Sequence, residues 1–487
     1  MNQQQTQAPR FEPTWKSLQQ YSVPQWFMDA KLGIFIHWGV YSVPAFSNEW
    51  YPRNMYQQGS PEFKHHQETW GHQSQFGYKD FIPLFKAENF DADAWIDLFK
   101  KAGARYVVPV AEHHDGFAMY DSALSEWTAA KMGPKRDIVG ELAKAARNQN
   151  LVFGVSSHRA EHWWFMDGGR KFNSDVQDPR YEAFYGPAMP ASPETGHNTA
   201  EWKNQDWHPR PDAKFLDDWL ARCCELVDKY QPQVFWFDWW IEQAVFAPYL
   251  QKFAAYYYNR ADEWGKGVVI QYKLEAFPPG TALYDIERGK LNAIREDYWQ
   301  TDTSVSYKSW CYIEHDEFKS VTTLVHDLVD IVSKNGNLLL NVGPRPDGII
   351  PDEAADRLLG LGEWLRINGE AIYDTRHWSS FGEGSTMVGE GHMREREDKP
   401  FTAEDIRFTT KDNALYAICL GWPGEAATIK SLGSASPISA ERIEAIQMLG
   451  SDELLSWTQN PDGLRINTPS QKPCEHAYVF KLTLKSE

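Results

Sequence analysis

Between residues 32 and 368 short apolar runs alternate with amphipathic helices, and most of the runs close on polar side chains. Residues 32–36 lead into His37, 106–110 into Glu112, His113 and His114, and 151–155 into Ser157 and His158. Residues 234–237 lead into Asp238, 268–272 into Lys273, and 283–286 into Glu287; 337–342 is a seventh buried run. Between them lie helical patterns. Asp91 or Asp93 caps a helix that Gly103 stops, and 136–150 is another. Asp212 caps a third, with Phe215, Leu216, Trp219, Leu220, Cys223, Leu226 and Val227 on one face. Further helices are expected near 246–264, 318–334 and 352–368. Strand, loop and helix in repetition require a parallel sheet. Polar residues gathered at the C-terminal ends of its strands are where a (β/α)8 barrel keeps its active site. A doubly wound sheet also binds there, but the chain has no Gly-rich phosphate loop. The expectation is α/β: a (β/α)8-like, TIM-type barrel over residues 1–378.

Past about residue 375 the period drops to two. Segments 406–408, 414–420, 428–429 and 477–484 alternate, with Tyr478, Phe480, Leu482 and Leu484 on one face. These predict a C-terminal antiparallel β-sandwich domain over 379–487, joined through 374–378 and the Gly- and Glu-rich 382–399. Residues 1–25 are polar and predict a loose start. The stretch 165–211 has no clear period, and so long an irregular segment predicts a functional lid.

Charge and composition narrow the function. A net charge of −18 argues against nucleic acid and anionic membranes as partners. No apolar run reaches the roughly 18 residues of a membrane span. The opening Met1–Gln5 lacks a basic-plus-apolar signal pattern, so the expected location is the cytoplasm, or the periplasm or exterior if an export signal has been removed. Five scattered cysteines without a CxxC read as free thiols. Aromatic residues stand beside acids and histidines, as in His37-Trp38, Glu49-Trp50-Tyr51 and His162-Trp163-Trp164. Flat apolar faces beside polar groups suit sugar rings, in an enzyme or in a sugar-binding protein.

The run Val234-Phe235-Trp236-Phe237-Asp238 delivers one carboxylate into an aromatic cluster. Burying a carboxylate is costly unless something hydrogen-bonds it or uses it; capping the next turn is the plainer use. A retaining glycosidase needs two carboxyl groups about 5–5.5 Å apart, one an ionised nucleophile and one an acid/base. Asp238 and Glu287, taken as successive strand ends, can converge. The competing reading is a metal-dependent hydrolase, with His37, His113, His114 and Asp238 as ligands. Adjacent His113 and His114 cannot readily both ligate from a regular strand, and there is no HxH or HExxH.

Several blocks resemble the signatures of glycoside hydrolase family 29, the α-L-fucosidases. They are Phe35-Ile36-His37-Trp38-Gly39, Glu49-Trp50-Tyr51, His113-His114-Asp115-Gly116-Phe117, Trp236-Phe237-Asp238 and the run 335–344. Residues 368–373 resemble the block that closes the family's catalytic domain. The resemblance covers about 15–378 and rests on the order and spacing of the blocks. It implies a barrel with a C-terminal β-sandwich, retention of configuration, a fucosylated oligosaccharide or glycoconjugate as partner, and neither metal nor cofactor. By position it implies Asp238 as nucleophile. His37, Glu49, Trp50, His113 and His114 match residues that hold fucose hydroxyls. Phe35, Trp236 and Trp310 match the apolar wall around the C5 methyl. Glu287, within residues 284–289, best matches the acid/base, with Glu296 as the second candidate. Two positions depart from the family pattern. Lys273 stands where Arg is frequent, keeping the charge and losing the bidentate fork. Ser156 or Ser157, with His158 beside it, stands where a Tyr often lines the pocket. A related sugar such as an α-L-galactoside is the alternative substrate.

Overall fold

The structure, a computed structural model, describes residues 10–191 and 209–485. Eight parallel strands close into a barrel in chain order: β1 Leu32–Ile36, β2 Tyr106–Glu112, β3 Val152–Ser157, β4 Val234–Phe237, β5 Val269–Tyr272, β6 Leu283–Glu287, β7 Trp299–Ser304 and β8 Gly336–Val342. Alternation along each strand divides its side chains. Phe35, Tyr106, Val108, Val110, Val234, Trp236, Val269, Leu283 and Leu339 fill the inside. Ile34, Ile36, Val107, Phe153, Phe235, Phe237, Ile270, Leu338 and Leu340 face the helices. Gly33 belongs to this packing: a Cβ there would lie 2.2 Å from the ring of Tyr106. The same period carries Trp236 to Asp238, Phe35 to His37 and Leu283 through Asp285 to Glu287, so the inward apolar file of each strand rises into a polar side chain.

The helices Ala92–Lys101, Ile138–Asn148, Ala213–Tyr230, Ala247–Trp264, Val321–Ser333 and Asp352–Asn368 surround the barrel. Asp91, Asp137, Asp212 and Ser320 cap four of them by accepting a backbone N–H. The connections β5–β6 and β6–β7 contain no helix. Part of that gap is covered by residues 10–25, which are not the loose start their polarity suggests; residues 1–9 lie outside the described residues. Phe11 is buried and its backbone N–H donates to Asn259; Tyr21 stacks on Tyr258 and Trp15 packs on Phe277.

β7 escapes the sequence reading because Trp299-Gln300-Thr301-Asp302-Thr303-Ser304 is mostly polar. All six residues are buried, and several of their polar groups find partners inside the barrel. Gln300 accepts from Tyr106 and Gln271, and Asp302 from Lys273. β5 also stands between β4 and β6, so Asp238 and Glu287 are not on successive strands; both nevertheless reach the same cavity.

The C-terminal part is two antiparallel sheets. One has the order β13-β16-β11-β10-β9 (Ile443–Met448, Tyr478–Leu484, Ala414–Cys419, Ile406–Lys411, Arg376–Glu383). The other is β12-β15-β14 (Ala426–Ile429, Gly463–Asn467, Trp457–Asn460). Tyr478, Phe480 and Leu482 do share a face, in the core between the sheets. The opposite face, with Tyr416, Ile418 and Val479, joins the core of the barrel's helices. Of the stretch expected to form a lid, residues 165–191 are short turns of 3-10 and α-helix, with Phe165 packed against Trp50 and His114; 192–208 lie outside the described residues. The five cysteines are free thiols, with Cys223, Cys311 and Cys419 buried. No helix among the described residues is long and apolar enough to cross a membrane.

Candidate active site

A cavity of about 370 Å³ opens at the C-terminal ends of the strands. Its wall includes His37, Glu49, Trp50, His113, His114, His158, Trp236, Asp238, Glu287 and Trp310. Of the expected residues, Phe35 and Lys273 lie just beneath. Phe35 packs against His37, Trp236 and Trp310, and Lys273 reaches Glu287 from below. Glu296 is exposed and stands apart from the cavity wall.

Asp238 follows the last residue of β4. Its Oδ2 accepts from His158 Nδ1 at 2.7 Å and lies 3.4 Å from His114 Nε2, while Oδ1 accepts the Trp239 N–H at 2.8 Å. Burial alone would raise this carboxyl; the two imidazoles outweigh it and hold the group well below the usual carboxylate range. The imidazoles are themselves fixed. Burial lowers His158, which keeps it neutral: Nδ1–H donates to Asp238, and Nε2 accepts from Ser156 Oγ at 3.0 Å. Asp238, which can only accept, therefore sets the tautomer, and the Ser156 hydroxyl follows it by donating to Nε2. His114 is the opposite case. Burial opposes its charge, yet Glu161 and Asp238 hold its pKa up at about 9, and its Nδ1–H donates to the His158 carbonyl at 2.7 Å.

The rest of the wall offers groups of known direction. His37 Nδ1–H donates to Asn341 at 2.8 Å, which leaves Nε2 toward the cavity. The Nδ1 of His113 is buried with no hydrogen-bond partner. Glu49 accepts from the Trp310 N–H at 3.0 Å and from Ser309 at 3.4 Å, and burial raises its pKa. This ties the Glu49 loop to the loop after β7. Trp50 packs edge-on to His114 and Phe165.

Glu287 closes β6. Its Oε2 accepts from Trp239 Nε1 and lies 3.3 Å from Lys273 Nζ. Lys273 also donates to Asp302 at 2.8 Å. Burial would discharge it, but Asp302, Glu287 and Asp285 hold its pKa above the ordinary value. Burial and the nearby Asp285 push Asp302 well above the carboxylate range. One buried cation is thus shared among three carboxyl groups. Asp302, Glu161, Trp239 and Met393 line the cavity without having been singled out from the sequence. Asp302 sits on the strand that was missed. Glu161 stands three residues after His158, a spacing that a histidine-rich stretch obscures.

The metal reading finds its ligands regrouped. His37, His113 and His158 form one set whose ligand atoms lie within 4.8 Å, and His114, His158 and Asp238 form another. His113 and His114 follow β2 in a turn rather than within it, and so face different sets. In the second set both imidazoles already point hydrogens at Asp238, an arrangement built for a carboxylate rather than a cation. The first set retains the unpartnered His113 nitrogen, and its atoms are equally disposed toward sugar hydroxyls.

Comparison with known proteins agrees with this geometry. The sequence pattern of the α-L-fucosidase family matches residues 1–370, and that of the α-L-fucosidase C-terminal domain matches 398–483. Human tissue α-L-fucosidase is 32% identical over 495 residues, covering 97% of this chain and 92% of its own. The crystal structure of the Thermotoga maritima α-fucosidase with a mechanism-based inhibitor superposes with a TM-score of 0.75 at 33% identity, covering 97% of this chain and 100% of that one. The same enzyme in complex with fucose gives 0.74 at 32%, with the same coverage. The chain belongs to the α-L-fucosidase family of glycoside hydrolases.

Proposed function

We propose that this α-L-fucosidase releases terminal α-L-fucose from oligosaccharides or glycoconjugates by double displacement, with Asp238 as nucleophile and Glu287 as acid/base. One observation carries the reading. Asp238 is a largely buried carboxylate kept ionised by two imidazole donors, and it shares a small cavity with a second carboxyl, Glu287. Asp238 attacks the anomeric carbon while Glu287 gives its proton to the departing oxygen; Glu287 then takes a proton from the water that cleaves the glycosyl-enzyme. The cavity lies at the small end of the range for small-molecule sites. That suits one terminal sugar rather than a long chain, hence exo-hydrolysis. His37, Glu49, Trp50, His113 and His114 hold the hydroxyls. Phe35, Trp236 and Trp310 form the apolar side that receives the C5 methyl.

Hydrolysis of a nitrophenyl α-L-fucoside, with the α-L-galactoside and β-D-galactoside alongside, tests the sugar. Fast, fucoside-selective release supports the reading, and preference for either galactoside contradicts it. The acid/base role is tested by Glu287→Ala on an activated aryl fucoside. Rescue by azide with retained configuration is expected, and absence of rescue would move the role elsewhere.

A further inference from the structure

The register between β5 and β6 runs only through Gln271–Leu283 and Tyr272–Tyr284. Beyond Tyr284 the edge of β6 that faces β5 has no strand beside it, and Glu287 stands at its tip. Its backbone is satisfied by a distant part of the chain. The Glu287 N–H donates to His392 Nδ1 at 3.0 Å, and the Glu287 C=O accepts from the Met393 N–H at 2.7 Å. Both residues belong to the segment between β9 and β10, an excursion from the C-terminal sheets. The His392 ring lies 4.8 Å from that of Trp239, whose indole N–H donates to the Glu287 carboxylate. Since Nδ1 accepts, Nε2 carries the hydrogen and donates to Tyr284 Oη at 3.1 Å. Met393, 52% exposed, lines the mouth of the cavity.

The excursion is anchored on both sides of this contact. The Gly391 N–H donates to the Lys290 carbonyl at 2.9 Å, and the Glu395 N–H to the Arg288 carbonyl at 2.9 Å. Glu395 pairs with Arg288 at 2.6 Å and with Lys319 at 2.7 Å, and Asp398 pairs with Lys290. These anchors hold the excursion against the chain just after β6, next to Glu287.

We propose that His392 is a positioning residue for Glu287, and that Met393 beside it forms part of the wall met by the leaving group. The C-terminal domain would thereby take part in the proton-donating half of the reaction. This rests on the acid/base reading of Glu287 given above. Burial, together with Lys273, lowers the His392 pKa to about 3, so the ring stays the neutral acceptor this contact requires across the working pH range. A displacement of about 1 Å at a reacting group can cost about 10²-fold in rate. Such a loss belongs to the step that needs the acid, so it depends on how much help the leaving group needs.

The experiment compares kcat/KM for aryl α-L-fucosides with good (dinitrophenyl) and poor (phenyl) leaving groups in His392→Ala, His392→Asn and Glu287→Ala, each checked for folding by circular dichroism. The amide oxygen of Asn can take the place of Nδ1. Expected is a loss of about 10²-fold on the phenyl substrate in His392→Ala. The dinitrophenyl substrate should lose little, and His392→Asn should recover most of the activity. Equal losses on both substrates, or none on either, overturn the proposal. A steep leaving-group dependence in Glu287→Ala with a flat one in His392→Ala overturns this inference alone. A flat Glu287→Ala overturns the acid/base reading and this inference with it.

Discussion

At the scale of the residue, the site works by setting the proton of each ring and carboxyl separately. Asp238 is kept ionised because one neutral and one charged imidazole both turn hydrogens toward it. Replacing it with Ala should lower kcat by about three orders of magnitude or more while the fold persists; steady-state kinetics with circular dichroism check this. His114 carries the pH dependence. Its folded pKa of about 9 lies above that of a free imidazole, about 6.5. Its stabilising contribution is therefore complete below about 6.5 and is lost as pH rises through about 9. The alkaline limb of kcat/KM should fall near pH 9 and thermal stability should decline over the same interval. Burial raises the Glu161 carboxyl to about 8, so it is ionised where the limb falls; Glu161→Gln removes that charge beside His114, so the limb should move to lower pH, and a limb that stays in place contradicts the assignment. The apolar set Phe35, Trp236 and Trp310 can reject an added C6 hydroxyl only modestly, so fucoside over α-L-galactoside selectivity of about 10² is expected in kcat/KM. Dialysis against a chelator should leave turnover unchanged, because the imidazoles at Asp238 serve as hydrogen-bond donors.

At the scale of the element, β1 to β6 and β8 were legible because each holds a short apolar run and most of the runs close on a polar group. β7 was not, because an inward strand that carries Gln300, Asp302 and Ser304 has the composition of a loop. Its burial is made possible by partners on other strands, which no local pattern displays. Asp302 was lost with it, and so was the place of Lys273 as the shared cation of three carboxyl groups. Lys273→Met should leave Asp302 and Glu287 without their common partner. Loss of one member of a buried pair costs about 3–5 kcal/mol, measurable by denaturant unfolding at pH 7. Asp302 protonates readily, so the loss should shrink as pH falls. The excursion that carries His392 was visible in the sequence only as a Gly- and Glu-rich junction. Its role is to complete a strand edge far away in the chain, and that depends on where β5 stops rather than on its own residues.

At the scale of the molecule, barrel and sheets share a core. The central strands β10, β11 and β16 are buried on both faces, one against the three-stranded sheet and one against the core that includes the helix Val321–Ser333. Polar ties cross the same boundary. Arg407 pairs with the fully buried Asp330 at 2.7 Å, Trp364 Nε1 donates to the Ala477 carbonyl at 2.9 Å, and Thr409 donates to the Ala371 carbonyl at 2.7 Å. Separate domains joined by a flexible linker would unfold separately. Here a single calorimetric transition is expected, and two resolved transitions would contradict the shared core. The alternating pattern after residue 375 announced sheets, but it could not say that their second face was taken by the barrel.

If Asp238 is the nucleophile, it becomes covalently fucosylated during turnover. Incubation with a 2-deoxy-2-fluoro-α-L-fucosyl donor carrying a good leaving group slows the second step and accumulates the intermediate. Peptic digestion and tandem mass spectrometry then locate the added sugar. One fluorofucosyl group per chain is expected, on the peptide that contains Asp238 and on its carboxylate. A label on Glu161 or Glu287, or the absence of any label together with inverted product, would contradict it.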